Sequence, residues 1–255
     1  METSKLTQKI QAANQRGRKG LIPFLPAGFP DRDKFWEELL GLDRAGADII
    51  EIGVPFSDPV ADGPVVEQAS LECLERGVNL SWIFEELGKR KGEFQAGLAL
   101  MGYYNPFLQY GLDKLAQDAA KAGVAGFIVP DLPLEESEEI KAALLPHGLD
   151  LIPLVGLNTS KERLGLYAAS ATGFAYFVSV LGTTGVRETL PHEIRERLGL
   201  AKEAFSIPLA LGFGVKTPDQ LLEFTDLVDA VVFGSALIRH VRAGKKAAEF
   251  MAAWQ

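Results

Sequence analysis

The sequence predicts an α/β protein: a single (β/α)8 TIM barrel with an extra N-terminal helix. Three observations carry this expectation. Apolar, strand-like runs alternate with helical stretches eight times within 255 residues, and repeated β–α alternation builds a parallel sheet covered by helices. The turns after the late strands are rich in glycine, where barrels of this class hold phosphate. No low-complexity stretch or linker interrupts the chain, so residues 1–255 are expected to form one domain. An open eight-stranded sheet is the alternative, because strand order is not written in a sequence.

Taken in order, residues 3–14 read as a short amphipathic helix, with Leu6, Ile10 and Ala13 at helical spacing. A basic segment from Arg16 to Lys19 leads into the first strand, 21–25. The remaining strands read as 47–53, 95–101, 124–129, 149–155, 173–179, 207–211 and 229–233. Helical stretches between them include 31–45, 64–76, 111–122, 136–145, 160–171, 191–205 and 218–224, and a last helix, 235–253, closes the chain. In a barrel the chemistry sits at the C-terminal ends of the strands. The unusual loops there follow strands 2, 6, 7 and 8. The turn Pro146-His147-Gly148 belongs to the opposite end, which makes His147 structural or solvent-facing.

Composition narrows the function classes. Hydrophobic residues make up 47% and charged residues 24%, the balance of a globular protein with a sizeable core. The net charge is −8, and no Lys/Arg cluster is interleaved with aromatics. That argues against nucleic acid or an anionic membrane as the main partner. Cys73 is the only cysteine, which rules out an intramolecular disulfide. His147, His192 and His240 lie far apart without metal-ligand spacing, so no metal site is expected. The first twenty residues lack the apolar core of a signal peptide, and no apolar run is long enough to span a bilayer. The expected setting is the reducing cytoplasm.

The stretch 47–64, ADIIEIGVPFSDPVADGP, concentrates the candidate chemistry. If its start is a strand, Ile49, Glu51 and Gly53 share one face. A glutamate near the end of a buried strand costs free energy unless it is paired, hydrogen-bonded or protonated. Asp58 and Asp62 follow on the loop. Two carboxylates in different surroundings can hold different protonation states, which is what acid/base chemistry requires. Aspartates beside Pro or Gly also simply close turns. Asp131, after strand 4, raises the same question.

Three late loops carry Gly182-Thr183-Thr184-Gly185, Gly212-Phe213-Gly214 and Gly234-Ser235. Phosphate needs convergent N–H donors and close backbone approach, which glycine permits and a helix N-terminus reinforces. Gly212-Phe213-Gly214 lacks the third glycine of a dinucleotide fingerprint.

Together these residues carry a resemblance. The string from Glu51 to Pro64 is similar to the signature of the tryptophan synthase alpha chain family. Other landmarks follow in the family's order: Met101-Gly102-Tyr103-Tyr104-Asn105-Pro106, Pro130-Asp131-Leu132-Pro133, Gly185, Gly212-Phe213-Gly214 and Gly234-Ser235. The resemblance implies a lyase that cleaves indole-3-glycerol phosphate by a retro-aldol step into indole and glyceraldehyde 3-phosphate. Glu51 then resembles the general acid/base acting at the ring carbon, and Asp62 the carboxylate that binds the ring N–H. Tyr176 resembles a substrate-lining tyrosine, with Phe24, Met101, Tyr103, Ile128 and Phe213 as indole walls. Gly185, Gly214, Gly234 and Ser235 would bind phosphate, and Thr184 resembles a loop threonine that approaches Asp62. The implied partner is a beta chain that holds pyridoxal phosphate, in an α2β2 assembly, with no cofactor in this chain. The sequence departs from the pattern at Pro26, Phe29 and in Val180-Leu181-Gly182-Thr183, which touch loop closure and the partner surface. A stand-alone indole producer and a phosphate-binding regulatory barrel are the other readings.

Overall fold

The computed structural model describes residues 3–179, 192–212 and 217–254. Its strands are β1 (Gly20–Pro26), β2 (Ile49–Gly53), β3 (Gly97–Met101), β4 (Gly126–Ile128), β5 (Asp150–Ile152), β6 (Leu154–Gly156), β7 (Ala175–Val178), β8 (Leu209–Gly212) and β9 (Ala230–Phe233). They form one sheet in the order β5-β4-β3-β2-β1-β9-β8-β7-β6, and every ladder is parallel. The two ends of that row, β5 and β6, are separated in sequence only by Pro153. The row therefore curls into a nearly closed barrel, and the open-sheet alternative falls.

The fifth strand, expected to run unbroken over 149–155, is cut at Pro153. Proline has no N–H for the ladder, so the chain changes neighbour there. Before it, β5 pairs with β4; after it, β6 pairs with β7.

Helices Arg32–Arg44, Pro64–Glu75, Leu112–Ala122, Glu138–Leu144, Lys161–Ser170, His192–Ala204 and Pro218–Leu222 lie where the pattern places them. Two more, Leu80–Lys89 and Tyr104–Tyr110, add to the expected set. The first is capped by the Asn79 side chain and buries Leu80, Ile83, Phe84 and Leu87 on one stripe. The terminal helix is not continuous. It divides into Ser235–Arg242 and Ala247–Met251, with Gly244 at φ 78° between them.

The N-terminal helix, Lys5–Gln15, starts from a Ser4 side-chain cap and plugs the end of the barrel where the strands begin. Leu6 and Ile10 are fully buried. A Cβ at Gly97 or Gly126 would come within 2.8 or 2.9 Å of Leu6, so glycine at those strand starts admits the plug. Ser4 donates to Asp150, and Thr7 Oγ1 donates to the Gly173 carbonyl at 2.5 Å. Nearby, Arg18 forks onto Asp48 at 2.6 and 2.8 Å, and Asp48 also accepts the Leu21 N–H. Polar ties at this end leave the opposite rim for chemistry.

Candidate active site

Glu51 stands in the middle of β2, level with Phe24 on β1 and Ala99 on β3. It is fully buried, and neither carboxylate oxygen has a hydrogen-bond partner among the described residues. Burial pushes its pKa up to about 8, and the negative charge of Asp62 adds to the effect. At neutral pH Glu51 therefore holds its proton. A buried carboxyl tolerated without a partner is held ready for something the protein alone does not supply.

Asp62 lies on the loop between β2 and helix Pro64–Glu75, partly exposed. Burial raises its pKa to about 6; a hydrogen bond from Tyr103 opposes the rise, and the Glu67 carboxylate adds to it. At pH 7 most of it is ionised. The site thus pairs a neutral acid with a carboxylate, the two states that acid/base chemistry requires.

Tyr176 on β7 is buried at 3% exposure. Its phenol is driven well above its ordinary value by burial first and by the charges of Glu51 and Asp62 after it, so the three lie within electrostatic reach of one another. The ring lies on bare backbone: a Cβ at Gly212 would come within 2.4 Å of it. Phe24 does the same across β1, with its ring against Gly53 and Gly234. Glycines at the ends of β2 and β8, and just after β9, thus make room for two aromatic rings over the strand ends. Met101 and Ile128 continue the wall, in register with Gly53. Tyr103 is buried as expected, but its hydroxyl turns to the Asp62 loop, accepting the Ala61 N–H at 2.9 Å.

Gly234 and Ser235 open helix Ser235–Arg242 at the same rim. Arg239, His240 and Arg242 occupy the helix's last turn, the favourable end for cations, so an anion at its start meets the positive end of the dipole. Thr184, Gly185, Phe213 and Gly214 lie outside the described residues. Asp58 accepts from the neighbouring Ser57 hydroxyl on an exposed turn. Asp131 accepts the Tyr104 N–H at 2.9 Å, tying the loop after β4 to the one after β3. His147 is exposed at the opposite end.

Sequence reasoning passed over Phe56 and Glu67. Phe56 packs on Tyr103 at 5.2 Å, and Glu67 acts on Asp62 through its charge. Glu67 lies in the first turn of the helix that follows the Asp62 loop, a placement that was legible. A cleft of about 300 Å³ also opens outside the barrel, between helices Glu138–Leu144 and Lys161–Ser170. Its Arg163 is already forked onto Glu135 at 2.7 and 2.9 Å, and it holds neither Glu51 nor Asp62. Among the described residues no cluster of His, Cys, Asp or Glu could hold a metal ion, and no helix is long and apolar enough to cross a membrane.

Comparison with known proteins identifies the family. The family model "Tryptophan synthase alpha chain" matches residues 10–254. A tryptophan synthase alpha chain from Solidesulfovibrio magneticus is 68% identical over 255 residues, covering all of both chains. One from Maridesulfovibrio salexigens is 58% identical, again with full coverage of both. Among solved structures, Mycobacterium tuberculosis tryptophan synthase superposes with a TM-score of 0.90 at 33% identity, over 99% of each chain.

Proposed function

The chain belongs to the tryptophan synthase alpha chain family, and from that premise we propose that Glu51 and Asp62 carry its reaction. That reaction is the lyase step of tryptophan biosynthesis in which indole-3-glycerol phosphate is cleaved to indole and glyceraldehyde 3-phosphate. The observation that carries the assignment is the fully buried, protonated Glu51, without a hydrogen-bond partner among the described residues, beside an ionised Asp62.

The chemistry asks for this pair. Breaking the bond between the ring and the glycerol chain needs an electron sink. Glu51 gives its proton to the ring carbon that bears the side chain, which makes the ring a cation. Asp62 accepts the ring N–H and stabilises the charge as it develops. Glu51, now a carboxylate, takes the proton of the glycerol hydroxyl. The C–O bond becomes a carbonyl, and the electrons of the broken C–C bond return to the ring. Glu51 ends protonated, as it began.

Phe24, Tyr103, Ile128 and Tyr176, with Phe213 and Thr184, form the substrate-binding set of this reading. Gly234 and Ser235, with Gly185 and Gly214, take the phosphate. Support comes from the rings of Phe24 and Tyr176 over the strand ends and the start of the helix at Ser235, which has no side-chain cap among the described residues. The partner is a tryptophan synthase beta chain. We take the assembly as α2β2, the pyridoxal phosphate as the beta chain's, the setting as cytoplasmic, and residues 1–255 as one barrel domain. The test is indole release from indole-3-glycerol phosphate, by the chain alone and with its beta chain. No indole under either condition refutes the assignment.

A further inference from the structure

Tyr103 follows β3, and its buried ring suits an apolar wall. Its hydroxyl is engaged elsewhere. The oxygen accepts the Ala61 N–H at 2.9 Å, which sets the hydroxyl beside the Asp62 carboxylate, where it favours the ionised form. Phe56, from the start of the same loop, packs on the ring at 5.2 Å with the planes 31° apart. On the other side, the N–H of Tyr104 is held by Asp131 at 2.9 Å. The phenol is thus anchored at its base and grips the Asp62 loop at its tip.

We propose that Tyr103 is a positioning residue for the cleavage, its hydroxyl holding the Asp62 carboxylate at the angle that meets the ring N–H. The proposal rests on the reading of Asp62 as the partner of the ring nitrogen. Asp62 sits half-buried on the loop between β2 and helix Pro64–Glu75, and a carboxylate on a loop needs an external brace to hold a near-attack geometry. A neutral phenol donating to a carboxylate also favours its ionised form. Burial and the Asp62 charge push the phenol up to about 12, so it keeps the proton it donates. The groups acting on Asp62 are Tyr103, which favours the charge, and Glu67, which opposes it; Asp62 in turn acts on Glu51 and Tyr176, and Asp131 acts on the phenol.

Tyr103→Phe keeps the ring and its packing on Phe56 and deletes only the hydroxyl. In complex with the beta chain, kcat for indole release falls about tenfold to a hundredfold, as for a lost hydrogen bond to a charged group. KM for indole-3-glycerol phosphate changes less than about threefold, and the acidic limb of the pH profile moves up by about one pH unit. Added to Asp62→Asn, the same substitution costs little more, because the hydroxyl works through that carboxylate. Wild-type kcat with an unmoved acidic limb, a loss confined to KM, or an additive loss in the double variant each overturns the proposal. A fully active Asp62→Asn enzyme is a separate failure, of the Asp62 reading itself. Tyr103→Leu, which also removes the ring, raises KM where Tyr103→Phe does not.

Discussion

Replacing Glu51 by glutamine should cut turnover steeply and yet make the protein more stable. The carboxyl is fully buried with no hydrogen-bond partner among the described residues, and its pKa is pushed from an ordinary 4.5 to about 8. The folded value lies above the unfolded one, so the native state holds a proton that the unfolded chain gives up. Stability from this group is therefore fully present below about pH 4.5 and lost as pH rises towards 8. Each pH unit in that window costs about 1.4 kcal/mol, or about 3 kcal/mol by pH 7 and about 5 above pH 8, as upper values. Glutamine has nearly the same shape and no charge to desolvate. Near pH 5 the two proteins should melt within about 1 kcal/mol of each other. At pH 7 the variant should melt higher by roughly 6–12 °C, at 2–4 °C per kcal/mol for a chain of this size. Indole release should fall about 10²–10⁴-fold with the general acid gone. The assay is a set of thermal melts near pH 5, 7 and 9 beside an indole assay. Melting curves that shift with pH in parallel for both proteins would refute the reasoning, because the wild type alone carries the buried titration.

Further outcomes follow from the same geometry. The pH dependence of kcat/KM should be bell-shaped, with an acidic limb near 6 from Asp62 and an alkaline limb near 8 from Glu51; a flat profile across that range would count against the pair. Gly53→Ala puts a Cβ within 2.6 Å of the Phe24 ring, so it should cost about 1–3 kcal/mol in urea melts and weaken substrate binding as the ring shifts. Leu6→Ala, at the barrel's plugged end, should cost about 2–5 kcal/mol while leaving KM for indole-3-glycerol phosphate unchanged; a rise in KM would show that the plug reaches the site.

The alternation of strands and helices was legible because each element carries its own period. Glu51 stood out for the same reason, as one carboxylate inside an apolar run. The break at Pro153 was written in the run Leu151-Ile152-Pro153-Leu154, but a single apolar stretch masks a change of neighbour that only the closed sheet reveals. Helix Leu80–Lys89 had its signal too, an Asn79 cap and a Leu80, Ile83, Phe84, Leu87 stripe. Helix Tyr104–Tyr110 was hidden by Asn105-Pro106, which reads as a turn and here lies in the first helical turn. The direction of the Tyr103 hydroxyl was not legible at all, since it depends on how the loops after two strands meet. The same holds for the separate protonation states of Glu51 and Asp62, which arise from burial, not spacing.

The seam at Pro153 has a mechanical consequence. It divides the barrel into one half made of β1 to β5 and another of β6 to β9, joined through the β1–β9 ladder and through one proline. Glu51 and Asp62 belong to the first half; Tyr176, Gly234 and Ser235 belong to the second. A substrate with its ring at the carboxylates and its phosphate at the helix start acts as a rivet between them. Hydrogen exchange at β5 and β6 should slow when it is bound, more than exchange within either half, so that filling the site also tightens the barrel across its weakest join.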